Sequence, residues 1–179
     1  IDIENINVSV CIKQLDKCFH KKSNNIPGDL KVFAVYRDET SYDNGREIGC
    51  MYTVNENSTF RGCILNNKSR DAYVIENNIK EAIKNQTYQC ENEEIVLANK
   101  TYNAVMIVPI YKKVQSDWYY YGFLCIDTYT ETSGVFTEKP LPILQMFAEI
   151  LAIFYRDVTT YFPTIFDHLD REISEDDSD

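Results

Sequence analysis

With 179 residues, of which 44% are apolar and 26% charged, the chain is long enough to bury a core and has the composition of one globular domain. Its net charge of -10 excludes the basic stripe that a phosphate backbone requires, so no nucleic acid is expected as a partner. No run reaches the ~18 uninterrupted apolar residues of a membrane span; residues 141–155 come nearest and are broken by Gln145 and Glu149.

The chain begins at Ile1 with neither an initiator Met nor a signal-peptide pattern, and reads as a piece of a longer protein, with a fused effector or membrane segment possible outside it. Residues 3–22 read as a helix. Val8, Cys11, Leu15 and Cys18 recur on one helical face, Asp2 and Glu4 lie near its start and Lys21–Lys22 at its end. "SNNIPGD" breaks it, and "DLKVFAVYRD" (29–38) follows as a strand that is apolar on both parities. "SYDNG" (41–45) reads as a turn and "REIGCMYTV" (46–54) as the returning strand; a turn at "NENS" then leads to a third strand, "TFRGCIL" (59–65).

Residues 69–85 read as partly helical, with Ile75, Ile79 and Ile83 four apart, while 86–102 are ambiguous. "NAVMIVPIYKK" (103–113) and "WYYYGFLCIDTY" (118–129) read as two long strands covered on both faces and joined by "VQSD". Thr137 is placed to cap a last helix that tolerates Pro140 and Pro142 in its first turn and stops before Pro163. Short polar connections predict a mainly antiparallel sheet with helices on both faces, an α+β fold. The expected division is a domain over 1–162 and an acidic tail or linker over 163–179, ending in "DREISEDDSD".

The six cysteines contain no CxxC pair, and with only His20 and His168 beside them no metal site is expected. Sequons occur at Asn7, Asn57, Asn67, Asn85 and Asn99, as they would by chance in so asparagine-rich a chain, and a reducing cytoplasm is the expected location.

From residue 103 onward the chain resembles a GAF domain. The family's closing signature, a V-P-I/L segment, a G-x-L-x-I/V-D strand, F-T-x-x-D-L and L-x-x-F/L-A-x-x-L-A, corresponds here to "IVPI" (107–110), "GFLCID" (122–127), "FTEKPL" (136–141) and "LQMFAEILA" (144–152). The likeness covers about 60 residues, and in the N-terminal half it rests on element order and "FRGC" (60–63). It implies a GAF-like (PAS-like) fold and a sensory module that binds a small molecule on one sheet face, or binds nothing and only dimerises.

The cyclic-nucleotide pattern N-K-x-F-x-x-x-D-E is reduced to Phe136, with Asp127-Thr128 and Pro140-Leu141 at its other places, and the Cys-His pair for a bilin does not occur. The ligand and any cofactor are therefore unknown from the sequence. The residues expected to wall a pocket are Tyr36, Tyr52, Cys63, Tyr73, Tyr88, Cys90, Tyr102 and Tyr120, since aromatic rings with one polar handle suit a small ligand.

The resemblance extends to a catalytic branch, the free methionine-sulfoxide reductases, whose three thiols Cys50, Cys63 and Cys90 would match in order. Against that branch, the expected reading is a non-catalytic regulatory domain, with a ligand-free dimerisation scaffold as a third possibility. A homodimer is expected through an a/d stripe of Leu144, Phe147, Leu151, Phe154, Val158 and Tyr161 on the last helix, joined by Val8, Cys11, Leu15 and Cys18 on the first. Ile143, Met146, Ile150 and Ile153 add a neighbouring apolar face.

Overall fold

The computed structural model describes residues 8–22, 25–38, 51–66, 72–91, 93, 97, 103–128 and 134–161, the last four by backbone alone. Among them are strands β1 (Val8–Lys21), β2 (Lys31–Arg37), β3 (Met51–Thr53), β4 (Val74–Glu76), β5 (Ala104–Val114) and β6 (Asp117–Thr128), and helices α1 (Ser58–Leu65), α2 (Ile79–Lys84) and α3 (Leu141–Tyr161). The strands form one sheet in the order β3-β2-β1-β6-β5-β4, with every neighbouring pair antiparallel. The fold is α+β with helices on both sheet faces, as the strand connections predict.

The largest correction is at the start. Val8–Lys21 is a central strand paired with β2 and β6, not a helix. The reason lies in the spacing. Cys11, Leu15 and Phe19 are four apart, which places them together on a helix face but equally on one face of a strand, since four is even. Val8, Val10 and Ile12 decide between the two, because β-branched side chains at alternate positions fit a pleated surface better than a helix. Cys11 and Leu15 are consequently buried in the sheet core, and Val8 stands at the strand's exposed start. The first-helix half of the expected dimer seam does not exist.

The strand keeps its phase across a large irregularity. Between the pairs Gln14↔Gly122 and Phe19↔Tyr120, residues 15–18 of β1 stand against Tyr121 alone. This bulge throws Asp16 and Lys17 outward, where Lys17 pairs with Asp29 at 2.8 Å and Asp16 Oδ1 accepts from Lys31 N at 3.2 Å. Beside it the strands come so close that a Cβ on Gly122 would lie 2.0 Å from Lys13 O. Glycine is required there for space.

Residues 59–65, expected as a strand, are helix α1. Asn57 starts it: its Oδ1 accepts from Thr59 N at 3.1 Å and Phe60 N at 3.3 Å. Residues 72–85 divide into strand β4 and helix α2, whose cap Asn78 accepts from Glu81 N while its Nδ2 donates to Glu81 Oε2. Thr137 does not cap α3. The helix starts at Leu141, after a turn in which Leu141 N bonds Glu138 O. The expected turn at 41–45, most of the returning strand, Cys50, Tyr102, Pro163 and the tail lie outside the described residues.

Two cores follow from the two covered faces. On the first, α1 and α2 pack Phe60, Cys63, Ile64, Ile79 and Ile83 against Cys11, Leu15, Val32, Tyr120, Phe123 and Cys125. On the second, α3 packs Leu141, Ala148, Ala152 and Tyr155 against Met106, Val108, Ile110 and Leu124. Alternate residues of β5 serve the two cores, which is why that strand is apolar on both parities. Each fully buried large side chain contributes about 1.5–3 kcal/mol through removal of apolar surface from water.

Candidate functional site

The eight residues expected to wall one pocket are divided by the sheet. Tyr52, Cys63, Tyr88, Cys90 and Tyr120 belong to the α1/α2 core. Tyr73 belongs to the α3 core, where its hydroxyl donates to the Glu138 carboxylate. Tyr36 is half exposed on that same side. Tyr102 lies outside the described residues.

Tyr36 changes sides because of a bulge between β1 and β2. The register runs Cys11↔Arg37, Ile12↔Tyr36 and then Lys13↔Ala34, so Val35 has no partner and alternation restarts. Tyr36 joins Ile12 on the α3 face, and Arg37 turns in beside Cys11 on the α1/α2 face. A strict period of two would place them the other way round.

The α1/α2 face is closely filled around Tyr120 and Phe123. Tyr120 is fully buried with its ring 5.8 Å from Tyr111 and 6.2 Å from Phe19, and Phe60 and Phe123 pack with centroids 4.7 Å apart. On the other face a depression of about 40 Å³ lies between β5 and α3, lined by Val108, Pro109, Tyr111, Gln145, Ala148 and neighbours. That is space for a few waters, far below the ~300 Å³ of a small-molecule pocket. None of the eight expected residues lines it.

Of the three thiols Cys50, Cys63 and Cys90, Cys50 lies outside the described residues and Cys90 is partly buried against the α1/α2 core. Cys63 is fully buried with its Sγ 3.7 Å from Ile107 O, and burial pushes its thiol well above the ordinary range, with Cys125 nearby adding to the rise. A nucleophilic thiol needs the opposite shift. Cys11, Cys18, Cys63, Cys90 and Cys125 are all free of disulfides. Among the described residues no group of His, Cys, Asp and Glu could hold a metal ion, and no helix is long and apolar enough to cross a membrane.

The feature most unlike an ordinary surface is on α3. Leu144 and Leu151, expected in a dimer seam, instead pack toward the sheet. Opposite them Ile143, Met146, Phe147, Ile150, Ile153 and Phe154 are each between 50% and 61% exposed. Phe147 and Phe154 keep their expected outward place, and the side chain of Val158 is outside those described. The exposed stripe is centred on the neighbouring face read from the sequence, one residue away from the expected seam. Only the position of the sheet could distinguish the two. No family model, no curated protein and no solved structure matches the chain.

Proposed function

We propose that the protein is a non-catalytic regulatory module of GAF-like architecture that responds to a small ligand and transmits the response through a homodimer built on α3. The observation that carries this reading is the exposed apolar stripe on a helix whose other side is already buried. Ile143, Phe147, Ile150 and Phe154 step by four, three and four, the spacing of a coiled-coil seam, and such a stripe complements its own copy about a two-fold axis. Six half-exposed side chains offer on the order of 600 Å² per copy, approaching the ~800 Å² each partner gives to a standard interface and at the limit of what monomers leave in water. A second copy of this chain is therefore the occupant.

Light scattering at tens of micromolar is expected to give a dimer, and Ile150→Glu with Phe154→Glu a folded monomer. A wild-type monomer under those conditions overturns the proposal. The close filling of the α1/α2 face favours one second reading, a dimerisation scaffold without a ligand; a screen by thermal shift that finds no stabilising small molecule would select it.

A further inference from the structure

Two buried thiols face each other across the centre of the sheet. Cys11 of β1 stands directly opposite Cys125 of β6, and neither is in a disulfide. Both side chains enter the α1/α2 core, at 1% and 3% exposure. Burial pushes the Cys125 thiol above the ordinary range; Cys11 and Asp127 add to the rise, and Lys13 and Arg37 oppose it.

The kind of pairing follows from the peptide groups around them. Val10 O accepts from Asp38 N at 3.1 Å and Val10 N donates to Asp38 Oδ2, so the backbone of Val10 faces the β2 side. Successive residues of a strand turn their peptide groups to opposite sides, so those of Cys11 face β6. Thr128 O accepts from Asn103 N on the β5 side, and the same alternation turns the peptide groups of Cys125 toward β1. The two cysteines are therefore a hydrogen-bonded pair, with Cα atoms about 5.5 Å apart. That lies inside the ~4.4–6.8 Å that a disulfide spans. Their Cβ atoms fall at the long end of the roughly 4.5–5.5 Å found for opposite residues, beyond the ~3.8 Å usual in a disulfide. A bond can form here only by drawing the strands together, and such strain makes a disulfide easier to reduce.

The folded core closes both thiols to solvent. The ladder beside Cys11 is nevertheless interrupted, since the β1–β2 register shifts between Ile12 and Lys13, and Val8 at the start of β1 is exposed. Opening of the start of β1 uncovers Cys11 and Cys125 together.

We propose that Cys11 and Cys125 form a redox latch, a dithiol that a peroxide converts to a reversible cross-strand disulfide when the start of β1 loosens from β6. In the opened strand the Cys11 thiolate attacks a peroxide oxygen. An S–O bond forms, the O–O bond breaks, and hydroxide leaves and takes up a proton as water. The Cys125 thiolate then attacks the sulfur of the Cys11 sulfenic acid; the S–S bond forms, the S–O bond breaks and a second water leaves. The two thiols together lose two electrons and two protons, and one hydrogen peroxide becomes two waters. The link joins residues far apart in the chain, so it restrains the unfolded state and holds the sheet closed under oxidation. This inference stands apart from the ligand and the dimer proposed above.

The test incubates the full chain with hydrogen peroxide, with and without sub-denaturing urea. Free thiols are then blocked and disulfides mapped by mass spectrometry of unreduced peptides. Oxidation is expected to be slow without urea and fast with it, and to give a Cys11–Cys125 linkage. The oxidised chain is expected to unfold at a higher urea midpoint than the reduced one, and excess reduced glutathione in the same urea to restore the dithiol. Cys63→Ala is expected to keep the linkage, and Cys125→Ala to lose both the linkage and the rise in midpoint. The wild-type map decides the pairing even where a variant does not fold.

A map dominated by Cys63–Cys125 or by linkages of Cys18 overturns the latch, as does sulfinic acid at Cys11 without a disulfide. A Cys11–Cys125 linkage that lowers the midpoint, or that resists glutathione, overturns its role as a reversible closure.

Discussion

Asn57 is 7% exposed, and its side-chain oxygen is committed to the first turn of α1. Asn57→Ala is expected to cost about 1 kcal/mol, as loss of a helix cap usually does, read from denaturant midpoints at constant slope. The same burial bears on its sequon: an Asn buried as a cap is closed to glycosylation in the folded chain. A parallel argument concerns the thiols. Burial pushes those of Cys63 and Cys125 upward, and Cys11 is as deeply enclosed. Alkylation of the native protein followed by peptide mapping should modify exposed Cys18 first and leave Cys11, Cys63 and Cys125 untouched until the chain unfolds. Early labelling of Cys63 with the fold intact would instead support thiol chemistry. Arg37 was invisible at this scale in the sequence. A lone Arg at the end of "VFAVYRD" reads as solvated, and only a one-residue bulge, a property of two strands together, turns it inward.

At the level of elements, legibility followed the sharpness of the period. β5, β6 and α3 were plain in the sequence, because long runs apolar on both parities and a 21-residue amphipathic segment each admit one reading. The first strand was misread because a four-residue repeat satisfies both periods. α1 was misread because eight residues are too few to show any period, although "NST" before an apolar run carried the cap signal. The bulge in β1 makes its own prediction. Gly122→Ala forces a methyl group into the backbone of Lys13 and should destabilise by about 3 kcal/mol, the upper range for overpacking. Thermal unfolding checks this, and an unchanged Tm would mean that β1 can move away from β6 at no cost. Lys21 offers a contrast. Its ammonium donates to Ile64 O at 2.6 Å and Leu65 O at 3.3 Å, joining the end of β1 to the last turn of α1.

For the molecule as a whole, helices pack on each sheet face, and among the described residues six exposed apolar side chains line the outer side of α3. If that side closes a dimer, stability is linked to concentration, and Tm should rise as the protein concentration is raised across the dissociation constant. A Tm independent of concentration over two orders of magnitude would argue for a monomer. The segment before α3 is anchored for such a role. Asn77 and Phe136 exchange two hydrogen bonds, Nδ2 to O at 3.0 Å and N to Oδ1 at 2.8 Å, tying the helix approach to the end of β4. The seam expected from the sequence and the stripe on the structure differ by about a third of a helical turn. A heptad pattern fixes which residues share a face, but only the packed sheet decides which face is left over.

The outermost strands, β3 and β4, are three residues long. Among the described residues β4 pairs with β5 only over Val105–Ile107, and the stretch of β5 that follows contains Pro109, Lys112 and Lys113. Proline lacks the donor that an incoming strand would need, and adjacent ammonium groups repel a second copy of themselves. The margin of the sheet is thus a poor template for templated fibre growth, whereas the helix invites a contact that closes after two chains. Under mild heating the protein should form finite, soluble particles and no thioflavin-positive fibrils. Replacing Pro109 with Val and both lysines with Thr should open the route to filaments.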